Sequence, residues 1–227
     1  MPREMLERLP DWLERQIAQG REFRQLAQPL EIRAGGSEET SYDVEGYATT
    51  FGNYYELWRS DGYAVEECVD PHALDRADMS DVIMQYDHHG RVFARIKNRT
   101  LELNIDDHGL HILGHLGGTE LGRQIADEIR GGYTDTMSWA FVVDRDSREV
   151  IEDHETGMIT VRRRILAVRK VYDVSAVSIP ANGATEIFAR GLEAGESNWA
   201  AQELRAWDAR RKAKARLELK LKFTGGK

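Results

Sequence analysis

Three residues in this 227-residue chain are of the types that acyl-transfer chemistry requires. They are His88 in Asp87-His88, Ser138 in Met137-Ser138-Trp139-Ala140-Phe141, and Asp173 in Tyr172-Asp173-Val174-Ser175. A serine hydroxyl is a weak nucleophile until a positioned imidazole takes its proton. An acid behind the imidazole fixes its tautomer and stabilises the imidazolium. Ser138 lies 50 residues after His88, and Asp173 a further 35 after Ser138, so only folding can bring them together. Spacing alone does not single them out, because any chain of this size carries Ser, His and Asp on strands. His89 competes with His88, since neighbouring strand residues face opposite ways. Cys68, with His72 four residues on, offers a second nucleophile, but a lone cysteine is ordinarily an inert small hydrophobe. His111 and His115 share a strand face near Asp106, Asp107 and His108, which raises a metal site as a further reading. Strand residues four apart are about 13 Å from each other, too far to hold one ion directly, so a solvated hairpin face is expected.

The elements that must position these residues follow from periodicity. Residues 1–28 read as helical, with Leu9, Leu13 and Ile17 four apart, Phe23 and Leu26 carrying the apolar face past Gly20, and Pro10 marking a boundary. Gly35-Gly36-Ser37-Glu38-Glu39 reads as a linker, and Tyr42 to Phe51 as the first strand of a domain that starts near residue 30. Asp70-Pro71 predicts a short helix near 71–77, followed by a strand through Val82-Ile83-Met84 that leads to His88. Leu101, Leu103 and Ile105, then Leu110, Ile112, Gly114 and Leu116, alternate around Asp107-His108-Gly109 as a hairpin. Leu121, Ile125 and Ile129, with Thr119 as N-cap and Gly131-Gly132 as stop, predict an amphipathic helix.

Beyond that helix, Met137, Trp139, Phe141 and Val143 share one strand face. Ser138, Ala140 and Val142 share the other, where small neighbours should leave Oγ approachable. Two more strands are expected over 158–168 and 170–179, the second placing Asp173 on a face with Val171, Ser175 and Val177. An acid among valines needs a partner, and an imidazole would provide one. Arg162-Arg163-Arg164 reads as a solvated strand face, and the chain from Ser197 onward as a basic helix. Many short strands with few helices give an α+β, mainly β fold with a barrel or sandwich core and peripheral helices.

Composition sets bounds on function. Hydrophobic residues make up 41% and charged residues 31%, the profile of a globular protein, and no apolar run nears the roughly 20 residues of a membrane helix. The N-terminus has no continuous apolar stretch of the secretory kind, which points to the cytoplasm, as does the single cysteine. Between Arg205 and Lys222, eight basic residues stand against Asp208 and Glu218. That local charge of +6 leaves the remainder at −14 within a total of −8. The acidic body excludes nucleic acid as a partner, while the tail suits an acidic one.

Several phrases carry a family resemblance: GYATTFG (46–52), YDHHGRVFAR (86–95), the run from DDHGL (106–110) to GGYTDTMSWAF (131–141), and YDVSAVSIPAN (172–182). In that order, over roughly residues 40–190, they resemble the prohead (capsid maturation) proteases of tailed phages. The resemblance implies a serine endopeptidase with a herpesvirus-assemblin-like β-barrel core, divided as an N-terminal helical segment 1–29, a protease domain 30–192 and a basic helical tail 193–227. It implies Ser138 as nucleophile, His88 as base because the family's catalytic His follows Asn or Asp, and Asp173 as acid. Trp139 stands where the family commonly has Phe, and Asp173 where Glu is more frequent. An arginine-containing loop is implied near the oxyanion hole, with no residue of this chain assigned to it. The implied partners are the major capsid protein and scaffold protein of the prohead, with self-cleavage, no cofactor and no membrane, in the host cytoplasm. The competing reading is a non-catalytic scaffold or assembly protein of the same fold that works by binding.

Overall fold

The fold is given by a computed structural model that describes residues 11–33, 42–60, 62–177 and 199–224. The linker expected at 35–39 and the chain between 178 and 198 lie outside the described residues. The chain divides into two compact units. One holds the described residues within 11–51, 70–145 and 166–177, and the other those within 52–69, 146–165 and 199–224.

In the first unit, helix α1 (Asp11–Ala18) stops at Gly20, whose φ of +77° suits a residue without Cβ. The Gly20 N–H donates to the Ile17 carbonyl at 2.8 Å and the Arg21 N–H to the Gln16 carbonyl at 3.1 Å, closing a Schellman motif. The helical reading of 1–28 therefore fails beyond Gly20. Glu22–Pro29 is strand β1, where extended backbone can pair with a long neighbouring strand. The next strands are β2 (Glu31–Ile32) and β3 (Asp43–Thr50), and with β8 (Leu101–Ile105) and β9 (Gly109–His115) they form a sheet in the order β2-β3-β9-β8. Gly109 permits this pairing, since a Cβ there would stand 2.0 Å from the Thr49 carbonyl oxygen. Helix α2 (Glu120–Arg130) forms as its pattern predicts: Thr119 Oγ1 accepts the Gly122 N–H at 2.9 Å, and Ile125, Ala126 and Ile129 are buried.

Residues 71–76 are successive turns rather than the expected helix. Asp70 Oδ1 accepts the His72 N–H at 2.9 Å, and the backbone bonds run Ala73 to Asp70, Asp75 to His72 and Ala77 to Leu74, each spanning three residues. Strands β6 (Ile83–Tyr86) and β7 (His89–Arg95) form a hairpin. Strand β10 (Thr136–Glu152) leads through a turn at 153–158 to β11 (Ile159–Val177). The two strands expected over 158–168 and 170–179 are this one strand. No Gly or Pro interrupts it, and it changes partner instead, pairing in parallel with β5 (Tyr63–Val69) over 159–165 and with β6 over 173–176. Around β10 the first unit buries Met84, Leu110, Met137, Trp139, Phe141 and Val174, each large side chain contributing about 1.5–3 kcal/mol.

The second unit contains β4 (Tyr55–Ser60), β5, the far end of β10, the near end of β11 and helix α3 (Trp199–Thr224). Its apolar core is Val65, Val161 and Ala200, flanked by Trp58, Trp199 and Leu204. Beside it lies an ion network that corrects the solvated-face reading at Arg163, while Arg164 is exposed as expected. Arg163 is 2% exposed and donates to Glu67 at 3.1 Å and to Asp146 at 2.6 Å, while Tyr55 donates to the buried Glu67 at 2.7 Å. Charges so far from water persist because each is paired.

The fold is thus mainly β with few helices, as expected, but its strand pairings do not close into a barrel. Closure requires the two end strands of a sheet to bond to each other. Among the described residues, the paths instead end at β1, at β4 and, on the branch through β6, at β7 in one sheet, and at β2 and β8 in the other.

Candidate active site

The first unit places the elements that carry Ser138, Asp173 and His88 side by side. Strand β11 lies between β10, which carries Ser138, and β6, which leads into the turn carrying His88. Its parallel pairing with β6 sets Asp173 opposite Ile83 and Ser175 opposite Gln85. Tyr86 of β6 pairs with His89 of β7, so Asp87 and His88 are the two central residues of a tight hairpin. Both have positive φ, +47° and +59°, the pattern that the twist of a two-residue hairpin demands. Asn, Asp and His enter that region more readily than other side chains, which is a physical reason for an Asp-His pair here. The Asp87 N–H donates to the Ala176 carbonyl at 3.1 Å and ties the turn to β11.

His88 Nδ1 lies 2.6 Å from Asp173 Oδ1, and His88 Nε2 lies 2.6 Å from Ser138 Oγ. The array is nearly sealed, with Ser138 and Asp173 each 1% exposed and His88 6%. The ring of Phe23 meets His88 edge-on with centroids 4.7 Å apart. The Arg24 carbonyl on β1 accepts from Ser138 Oγ at 3.1 Å. The one hydroxyl proton therefore has two acceptors. With a neutral ring whose Nδ1–H points at Asp173, Ser138 donates to Nε2. With a doubly protonated ring, Nε2–H donates to Oγ and the hydroxyl turns to Arg24. Ser175 Oγ also donates to Asp173 Oδ1, at 2.8 Å.

The fold brings Ser138, His88 and Asp173 together and leaves the alternatives apart. The His89 ring is exposed, with Nδ1 3.2 Å from the Asp87 carbonyl oxygen. Cys68 is buried, whereas the His72 side chain is 82% exposed. His115 bonds to Asp43 at 2.9 Å and reaches Glu102 at 3.4 Å, and among the described residues no three His, Cys, Asp or Glu side chains are placed so that they could hold a metal ion. The approachable Oγ expected from Ala140 and Val142 is not found: Ser138 is 1% exposed, with His88 Nε2 and the Arg24 carbonyl of β1 both within hydrogen-bond distance of Oγ. Phe23 and Arg24 were hidden by the helical reading of 1–28. Ser175 was legible, two residues after the acid on the same strand face.

A hydroxyl, an imidazole and a carboxylate hydrogen-bonded in that order on a mainly β scaffold are a constellation of the serine-hydrolase class. The chain belongs to the caudovirus prohead serine protease family, whose model matches residues 28–198. Membership implies serine protease activity in phage capsid maturation. The chain matches no curated protein and no solved structure.

Proposed function

We propose that this protein is a serine endopeptidase of phage capsid maturation, with Ser138 as nucleophile, His88 as general base and then acid, and Asp173 as the orienting acid. The reading is supported above all by the unbroken pair of 2.6 Å contacts from Asp173 through His88 to Ser138. In the reaction, Oγ attacks the scissile carbonyl while Nε2 takes its proton. The tetrahedral intermediate then expels the amine, protonated by the same nitrogen, and leaves an acyl-serine. Water, deprotonated by His88, attacks the ester and releases the acid. Asp173 holds the Nδ1–H tautomer throughout and stabilises the imidazolium.

Family membership supports the setting: the interior of the assembling prohead in the host cytoplasm, with scaffold protein and the scaffolding segment of the major capsid protein as substrates, and the enzyme itself as another. A purely binding role has no need of so complete a hydrogen-bonded set. The test is co-expression with capsid and scaffold proteins, followed by mapping of new termini by mass spectrometry. Ser138→Ala should fold and cut about 10⁶-fold more slowly. His88→Ala should resemble it, and His89→Ala should retain turnover. Normal processing by folded Ser138→Ala would refute the proposal.

A further inference from the structure

The acid of the array has a second partner. Asp173 Oδ1 accepts from His88 Nδ1 at 2.6 Å and from Ser175 Oγ at 2.8 Å, so two donors converge on one carboxylate oxygen. Ser175 is fully buried, and among the described residues this is the bond its hydroxyl makes. Its place follows from the strand: residues two apart point to the same face, so a hydroxyl at 175 is carried to the carboxylate at 173 by backbone geometry alone.

Two physical effects follow. Asp173 is 1% exposed and shares its strand face with Val171, which offers it nothing polar, so the bonds from His88 and Ser175 together fix which way the carboxylate faces. The second donor also draws charge from the oxygen that holds the imidazole. A hydrogen bond to an ionised acceptor is stronger than one between neutral groups and lowers that oxygen's pull on any other proton. The imidazolium is then held less tightly than by a carboxylate oxygen with a single donor.

We infer that Ser175 is a positioning residue that orients Asp173 and tempers its hold on His88. The inference deepens the peptidase reading, and its kinetic arm rests on it. Ser175→Ala keeps the volume of the site and removes only the hydroxyl. The expected result is a fall in kcat of about 10-fold with KM unchanged, since Ser175 lies behind the acid and away from the nucleophile. The acid limb of the kcat/KM profile should move up by roughly half a pH unit to one unit. Ser175→Cys, of similar size with a weaker donor, should fall between.

A second readout needs no substrate. The His88 ring resonances, followed by NMR against pH, should titrate at higher pH in Ser175→Ala, with Ser175→Cys again between. Unchanged titration in both variants would overturn the inference even if Ser138 proves to be the nucleophile. A shifted titration in a protein that cuts nothing would uphold it and refute the peptidase reading instead.

Discussion

At the scale of single residues, the proposed base, His88, is aimed by backbone conformation. His88 and Asp87 both occupy positive φ, a region that costs a residue with a Cβ about 1–2 kcal/mol and that a β-branched side chain tolerates least. Asp87→Val should therefore destabilise the fold by about 1–3 kcal/mol in urea unfolding. Asp87→Asn should stay within about 0.5 kcal/mol, and equal effects of the two would contradict the turn conformation. The meeting of Ser138, His88 and Asp173 was legible in the sequence, because residue types and their neighbours single them out. The turn was not legible. The usual hairpin signal is Asn-Gly or Asp-Gly, and Asp87-His88-His89 continues a strand-like pattern until the backbone reverses.

At the scale of elements, β1 governs access. Ser138 is 1% exposed, and β1, an end strand of its sheet, supplies both the Phe23 ring against His88 and the Arg24 carbonyl that accepts from Oγ. A shift of β1 is therefore the expected way for a peptide bond to reach Oγ. Phe23 and Ala140 are directly paired, so Phe23→Cys with Ala140→Cys places two thiols within disulfide reach. The oxidised variant should be inactive and regain turnover on reduction, whereas equal activity in both forms would mean that substrate enters past a seated β1. A second element-level test concerns His115, which joins β9 to Asp43 of β3 and Glu102 of β8. Burial is the largest single influence on this ring and favours the neutral form, but the bonds to Asp43 and Glu102 together outweigh it and hold the pKa above 6.5. Their stabilisation is complete below the unfolded value and is lost as pH rises through the folded one. Thermal stability should thus decline from about pH 6.5 upward, and His115→Gln should flatten that decline. Elements with local punctuation, such as α2 between Thr119 and Gly131, were readable in advance. The end of α1 rested on Gly20 alone, and the unity of β11 rests on partners 90 or more residues away.

At the scale of the molecule, the chain builds two units, and the basic C-terminal helix belongs to one of them. Its first turns are structural: Ala200 is buried, and Trp199 and Leu204 pack against Val65 and Val161. Residues 209–217 are exposed and carry much of the positive charge. Ending the chain near Leu192 should accordingly destabilise the unit, by about 3 kcal/mol or more on losing a tryptophan and its neighbours. Ending it after Asp208 should leave stability intact and weaken only salt-sensitive binding to an acidic partner, read by denaturation and by pull-down across ionic strength. Two units were not visible in the sequence, because both share the uninterrupted strands β10 and β11 and no linker composition separates them. The burial of Arg163 was hidden for a similar reason. Its partner Glu67 lies 96 residues away.

The position of β11 between β10 and β6 also sets an order of events during synthesis. The acid-bearing stretch is the last of the three to leave the ribosome, and it occupies the place that makes the other two strands neighbours. While the 35 residues from Ser138 to Asp173 are being made, about 2–7 s at ordinary translation rates, hydroxyl and imidazole have no scaffold to meet on. Pairings of such long sequence separation form slowly even then. A nascent chain is thus barred by topology from acting on its neighbours until nearly all of its first unit exists.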